Sequence, residues 1–411
     1  MILMKANSKF LLRSLLLLPM MALVMVVALS RPLHDFLEYW TMAHLFIEGR
    51  NCYSLIEVFR REVALGWTEP APLIALNPPW LLPLLAPLGL FHSYPLAWLA
   101  WNAVLVGSLL LSSFVLLGLY APDVRLPEIS DTVLVRSLFI FSFYPAMLVL
   151  RYAQTAPLVL LGSTGFLWFI KRDRPILAGS ALAVAAIKPH LLYLVFVAVV
   201  AQAIKQRSGK LIIGLAWPLI VLTGIAALRD PHVLRHYLEL SGGPYAQLYP
   251  SAVGAVLRLP FGTQNTFFLQ FLPSVAGLVW FSYWHRHQRN WNWLENMPAL
   301  LTVSILTTWH GWLFDQLLLA IPLVALFACY ARRFGRIPAK LLLLYTAVNA
   351  AVIVGGIFQN ISPAQLAYLV APVVVCIALS WPRFRRKVFF DVHPAVAMGL
   401  RAPDVPSGYR F

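Results

Sequence analysis

Charge is scarce in this sequence, and negative charge scarcest. The 411 residues hold 16 Asp and Glu against 32 Lys and Arg; charged residues make up 12% and hydrophobic ones 60%, with a mean hydropathy of +0.75. Such values exclude an ordinary soluble domain and predict an all-α polytopic membrane protein. Each crossing needs about 20 apolar residues, so the length allows roughly a dozen spans and no sizeable soluble domain. Cysteine is also rare: Cys52, Cys329 and Cys376 cannot form a disulfide framework and show no metal-ligand spacing. No Asp-x-Asp pair occurs, which argues against metal-assisted nucleotide-sugar chemistry, and no metal or cofactor site is expected. No internal repeat is visible, which argues against a transporter built of paired halves. The lack of a loop rich in N-glycan acceptor triplets and the compact size suit a bacterial inner membrane; the lone Asn360-Ile361-Ser362 triplet lies too close to a span to carry weight.

The charges that are present sort by side. Lys5, Lys9 and Arg13 precede an apolar run, Leu15 to Leu29, which reads either as a cleaved signal or as a first span; the apolar character of the rest of the chain favours a span. Basic belts at Lys171 to Arg174, Lys205 to Lys210, Arg286 to Arg289, Arg332 to Arg336 and Arg383 to Lys387 are placed in the cytoplasm by the positive-inside rule. Pairing apolar segments between belts gives spans at 176–187, 190–204, 211–228, 265–284, 297–310, 315–331, 338–358 and 364–381. Upstream there is one segment too many for the parity. The weakest, 73–91, carries Pro78, Pro79, Pro83 and Pro87 and is expected to be re-entrant or interfacial. The count becomes 12 spans, with 1–381 as one membrane domain, a first outer loop at 31–95 and a basic cytoplasmic tail at 382–411. The inside then holds 23 Lys and Arg against 7 acids and the outside 9 against 9, so the whole formal excess of +16 lies inside. This charge reports orientation and contact with anionic membrane lipids, not nucleic-acid binding.

The outer face collects the unusual polar residues. Asp35, the first acid, and Glu38 come just after the first span; Asn77-Pro78-Pro79-Trp80 lies in the kinked segment; Arg151-Tyr152-Ala153-Gln154, Lys188-Pro189-His190 and Thr308 to Asp315 join pairs of spans. Ionisable groups at membrane depth are costly and mark pathways or active sites. Each has a plainer reading. Lys188 and Arg151 can snorkel, Trp40, Trp80, Trp309 and Trp312 can form an aromatic belt, and His310 and Asp315 can pair to satisfy charge. Glu48, Glu57 and Glu62 read as the solvated face of amphipathic helices lying on the membrane, with Leu45, Phe46, Leu55, Val58 and Phe59 toward lipid.

Taken together the set suits displacement at a lipid phosphate. Asp35 is placed to act as general base on an attacking hydroxyl, and Lys188, Arg151 and His190 to meet the departing phosphate. Glu38, Tyr152, Gln154, Trp309, His310 and Asp315 would hold sugar or acceptor.

The order Asp35…Tyr39-Trp40…Ala43…Gly49-Arg50-Asn51-Cys52-Tyr53, Asn77-Pro78-Pro79, Ala178-Gly179…Lys188-Pro189 and Trp312…Asp315…Leu318-Leu319 resembles glycosyltransferase family 87. The resemblance implies the C-type membrane glycosyltransferase fold and a polyprenyl-phosphate-mannose donor. It further implies a lipid-linked glycan or glycolipid acceptor and inverting, metal-independent transfer outside the cytoplasm, with Asp35 as base and Lys188-Pro189 and Asp315 as matched motifs. The sequence departs from the family at Ala153-Gln154, where Gly-Gln is usual, and at His310, where many relatives carry Ser-Pro. A secondary transporter or lipid flippase, and an inactive scaffold of envelope assembly, are the alternative readings.

Overall fold

The computed structural model describes residues 35–122, 139–243, 252–261, 266–288, 290–334, 337–357 and 363–380. The expected first span, residues 133–138 of a further span expected at 133–150, and the 382–411 tail lie outside the described residues. Among the described residues the chain is helical without a strand, and five helices are long and apolar enough to cross a membrane.

The first helices among the described residues are α1 (Asp35–Ile47) and α2 (Leu55–Ala64). A broken helix, α3 (Pro79–Leu90), comes next, alternating 3-10 and α turns wherever a proline removes a donor. At about 1.5 Å per residue it reaches roughly 18 Å, short of the 30 Å or so of hydrocarbon. It packs against α1, where Trp40 Nε1 donates to the Leu88 carbonyl at 3.1 Å. Then come α4 (Tyr94–Tyr120), α5 (Tyr144–Tyr152), α6 (Ala156–Lys171) and α7 (Pro175–Ala185), and the apolar helices α8 (Pro189–Gln206) and α9 (Lys210–Arg229). Short α10 (Val233–Ser241) and α11 (Val253–Arg258) precede α12 (Phe267–Arg286), α13 (Trp293–Thr307), α14 (Leu313–Phe334), α15 (Ala339–Ile357) and α16 (Pro363–Ser380).

Their environments differ as their sequences do. α14 is buried almost throughout, with Leu317, Leu318, Leu319 and Ile321 fully covered, and carries Asp315 at one end. α9 instead exposes Trp217, Ile213, Ile220 and Leu228, an apolar surface of the kind that faces lipid. α7 wedges between α6 and α9 on small residues. A Cβ on Gly214 would strike the Ile176 carbonyl, and one on Gly179 the Leu211 carbonyl, whereas Gly224 on the same α9 faces open space. Gly214→Ala is therefore expected to lower the melting temperature of the detergent-solubilised protein, by an overpacking cost of about 1–3 kcal/mol, and Gly224→Ala to leave it unchanged or higher. Equal melting for the two variants would contradict this packing.

The first outer loop corrects one expectation. Leu45, Phe46 and Val58, assigned to lipid, are buried in the protein, and Glu62, assigned to water, is fully buried. Burial comes from elements distant in sequence: α3 and α4 close on α1, and the extended Leu73–Ala75 stretch lies over α2. Glu48 and Glu57 do stay at the surface, paired with Arg50 and Arg61.

Candidate functional site

Gln154, Lys188 and the Thr308 to Asp315 turn sit at the ends of helices whose other ends meet the basic belts, and local sequence explains how each polar set is aimed. Asp35 stands in the first turn of α1, where the helix dipole favours negative charge. Asp35, Glu38 and Tyr39 are three and four residues apart and so share one face. At the end of α5, Ala153 takes a left-handed conformation, φ 53°, a C-cap geometry more usual for glycine. Trp101 Nε1 holds the Ala153 carbonyl at 2.8 Å, and the reversal turns Gln154 inward. Pro189 disfavours helical geometry at the residue before it, so Lys188, at φ −129° and ψ 71°, sits outside the helical region in the break between α7 and α8. That break is gripped from outside: Asn77 Nδ2 and Trp80 Nε1 donate to the carbonyls of Ile187 and Ala186 at 3.4 and 3.1 Å. Asp315 lies in the first turn of α14, its Oδ2 accepting from the Trp312 amide at 3.0 Å.

These side chains meet in one hydrogen-bonded chain. Gln154 Nε2 donates to Asp35 Oδ2 at 2.6 Å. Gln154 Oε1 accepts from Tyr39 Oη at 2.9 Å and from Lys188 Nζ at 3.1 Å. Lys188 Nζ also reaches Asp315 Oδ1 at 2.7 Å. Lys188 is 7% and Asp315 1% exposed, so this is a buried ion pair, held in place by geometry and costly to break.

An aromatic wall flanks the chain. Phe314 lies 4.7 Å from the Lys188 ammonium and continues to Tyr152 and Trp312. His310 meets His190 edge to face at 5.5 Å, and Trp309 stands 6.0 Å from both His190 and Tyr193. The Nε2 of His190 is buried without a hydrogen-bond partner. Arg151 alone of the expected cations stays outside: it is exposed and lies over Tyr152 at 5.5 Å, because the turn at Ala153 that points Gln154 in leaves Arg151 at the rim. Sequence reasoning gave no role to Phe314 and read Tyr39 only within the family pattern; the i, i+4 spacing of Tyr39 from Asp35 was the available signal.

Behind Asp35 lie two more buried carboxyl groups. Burial, then the charges of Asp35 and Glu62, push Glu38 above the usual carboxylate range, while Lys188 opposes. Glu62 Oε2 accepts from the Leu73 amide at 3.1 Å, its Oε1 has no partner, and burial pushes its carboxyl up to about 7. A raised folded-state value means stability present when the group is protonated and lost as pH climbs from the ordinary carboxylate range through 7. Glu62→Gln keeps an acceptor for Leu73, so its melting temperature should coincide with that of the native protein at low pH and exceed it progressively as pH rises through 7. Parallel melting profiles across that range would remove the inference.

No protein-family profile, curated protein or solved structure matches this chain. The functional reading therefore rests on the residues themselves.

Proposed function

We propose that this protein is an integral membrane glycosyltransferase with a C-type fold, which moves a hexose, mannose by preference, from a polyprenyl-phosphate donor to a lipid-linked or glycolipid acceptor on the outer face of a bacterial inner membrane. The observation that carries the reading is the chain from Asp35 through Gln154 to Lys188 and Asp315, which draws a carboxylate and a cation from distant parts of the sequence into one cluster.

In the proposed reaction Asp35 takes the proton of the acceptor hydroxyl as its oxygen attacks the anomeric carbon. The bond from that carbon to the phosphate oxygen breaks with its electron pair leaving on phosphate, and the configuration inverts. Lys188 has three N–H donors, two of them committed to Gln154 and Asp315, which leaves one donor and the ammonium field for the departing phosphate. His190 adds an uncommitted ring nitrogen. Trp309, His310, Trp312, Tyr152 and Phe314 offer faces on which a sugar ring packs. The twelve-span topology, the periplasmic orientation and the choice of sugar belong to this proposal.

Proteoliposomes supplied with labelled polyprenyl-phosphate hexose and a mixed glycolipid acceptor distinguish the proposal from a flippase or transporter. A labelled glycoside is the expected result; movement of label across the membrane with no glycoside formed would reverse the reading.

A further inference from the structure

The carboxamide of Gln154 is an unpromising sugar contact. It offers two acceptor sites on oxygen and two N–H donors, and three of these four are already taken within the protein, by Tyr39, Lys188 and Asp35. The residue is 6% exposed. The chemistry of its neighbours gives it a different task.

An ammonium group donates and never accepts, so the Gln154 atom that faces Lys188 is the oxygen. Tyr39 donates to the same oxygen, filling its second lone pair. With the oxygen fixed by two donors, the NH2 group has to point the other way, at Asp35 Oδ2, 2.6 Å distant. A flipped amide would set NH2 against an ammonium group and lose the bond to Asp35. The direction Lys188 to Gln154 to Asp35 is thus imposed by a group that cannot reverse it, and Asp315 holds that group in place from the far side.

We propose that Gln154 is a positioning residue that fixes Asp35 in the orientation and ionised state a general base requires, with Lys188 and Tyr39 acting as the lock on its amide. The proposal rests on the transferase reading for its catalytic consequence, though not for its geometry. The charges around this lock are coupled: Asp35 acts on Glu38 and Tyr39 of its own helix and on Tyr94 of α4, Lys188 of the α7–α8 break and Glu62 act on Glu38, and Asp315 of α14 acts on Tyr39.

The test uses the full-length protein in nanodiscs and reads Asp35 directly, by infrared titration of the carboxyl band that disappears in Asp35→Asn. Gln154→Glu keeps an acceptor toward Lys188 and Tyr39 and replaces the donor facing Asp35 by a carboxylate oxygen, so that a lost donor and an added negative charge act on Asp35 in the same direction. The Asp35 midpoint is expected to rise by about one to two pH units, the order of one charge-assisted hydrogen bond. The acid limb of the transfer rate should move with it, and kcat at neutral pH should fall about tenfold or more, with KM for donor and acceptor within about twofold. An unmoved midpoint overturns the proposal, as does a raised KM with kcat unchanged, which would make Gln154 a substrate contact after all. If Gln154→Glu does not fold, Tyr39→Phe decides: a smaller shift of the same sign supports the lock, and none overturns it. A shifted midpoint in a protein that transfers no sugar would leave the positioning role standing and remove the transferase reading alone.

Discussion

Asparagine at position 35 is expected to lower hexose transfer by about a thousandfold, the scale of a lost general base, while the protein folds and binds donor as before. The amide nearly matches the carboxylate in shape, and its oxygen can still accept from Gln154, so the packing of Phe36, Tyr39 and Trp40 along α1 need not change. What goes, on the proposed transferase reading, is the capacity to take a proton from an attacking hydroxyl. Donor affinity, measured by quenching of the aromatic wall with a non-transferable lipid phosphate, should stay within about twofold of native. Near-native turnover in Asp35→Asn would take that residue out of the mechanism.

The largest stability effect is expected at Lys188. Methionine there preserves the stem and removes the ammonium group, leaving Asp315, 1% exposed, with the Trp312 amide and without its cation. Breaking a buried pair from one side costs about 3–5 kcal/mol, whereas replacing both partners by apolar residues of similar volume is often neutral. Lys188→Met should therefore unfold at markedly lower temperature in detergent, and the double variant Lys188→Met with Asp315→Leu should recover most of the loss. Both should be inactive. Additive losses in the double variant would show that the two side chains are not coupled as their 2.7 Å contact requires.

The membrane character and the residues of the candidate cluster were readable because each leaves a local mark. Proline after Lys188 announces a helix break, acids just beyond an apolar run are conspicuous in a chain so poor in them, and a Trp-rich turn before Asp315 interrupts two hydrophobic segments. Their pairing was not readable. Asp35 and Gln154 are 119 residues apart and Lys188 and Asp315 are 127 apart, and no periodicity encodes such contacts. Glu62 shows the same limit in reverse: its place on an amphipathic helix predicts water, but the stretch at Leu73 that covers it comes from outside that helix. Arg151 and Gln154, three residues apart, were read as members of one polar set, and a single left-handed residue, Ala153, sends them to different surroundings.

The transferase reading meets its most direct test in one assay of purified, full-length protein. Synthetic polyprenyl-phosphate mannose labelled in the sugar is incubated with a panel of glycolipid acceptors, and the products are resolved by mass and anomeric configuration. The prediction is a new mannoside of inverted configuration together with free polyprenyl phosphate, both absent with Asp35→Asn. An intact donor after prolonged incubation with every acceptor, or the same product from Asp35→Asn, would contradict it.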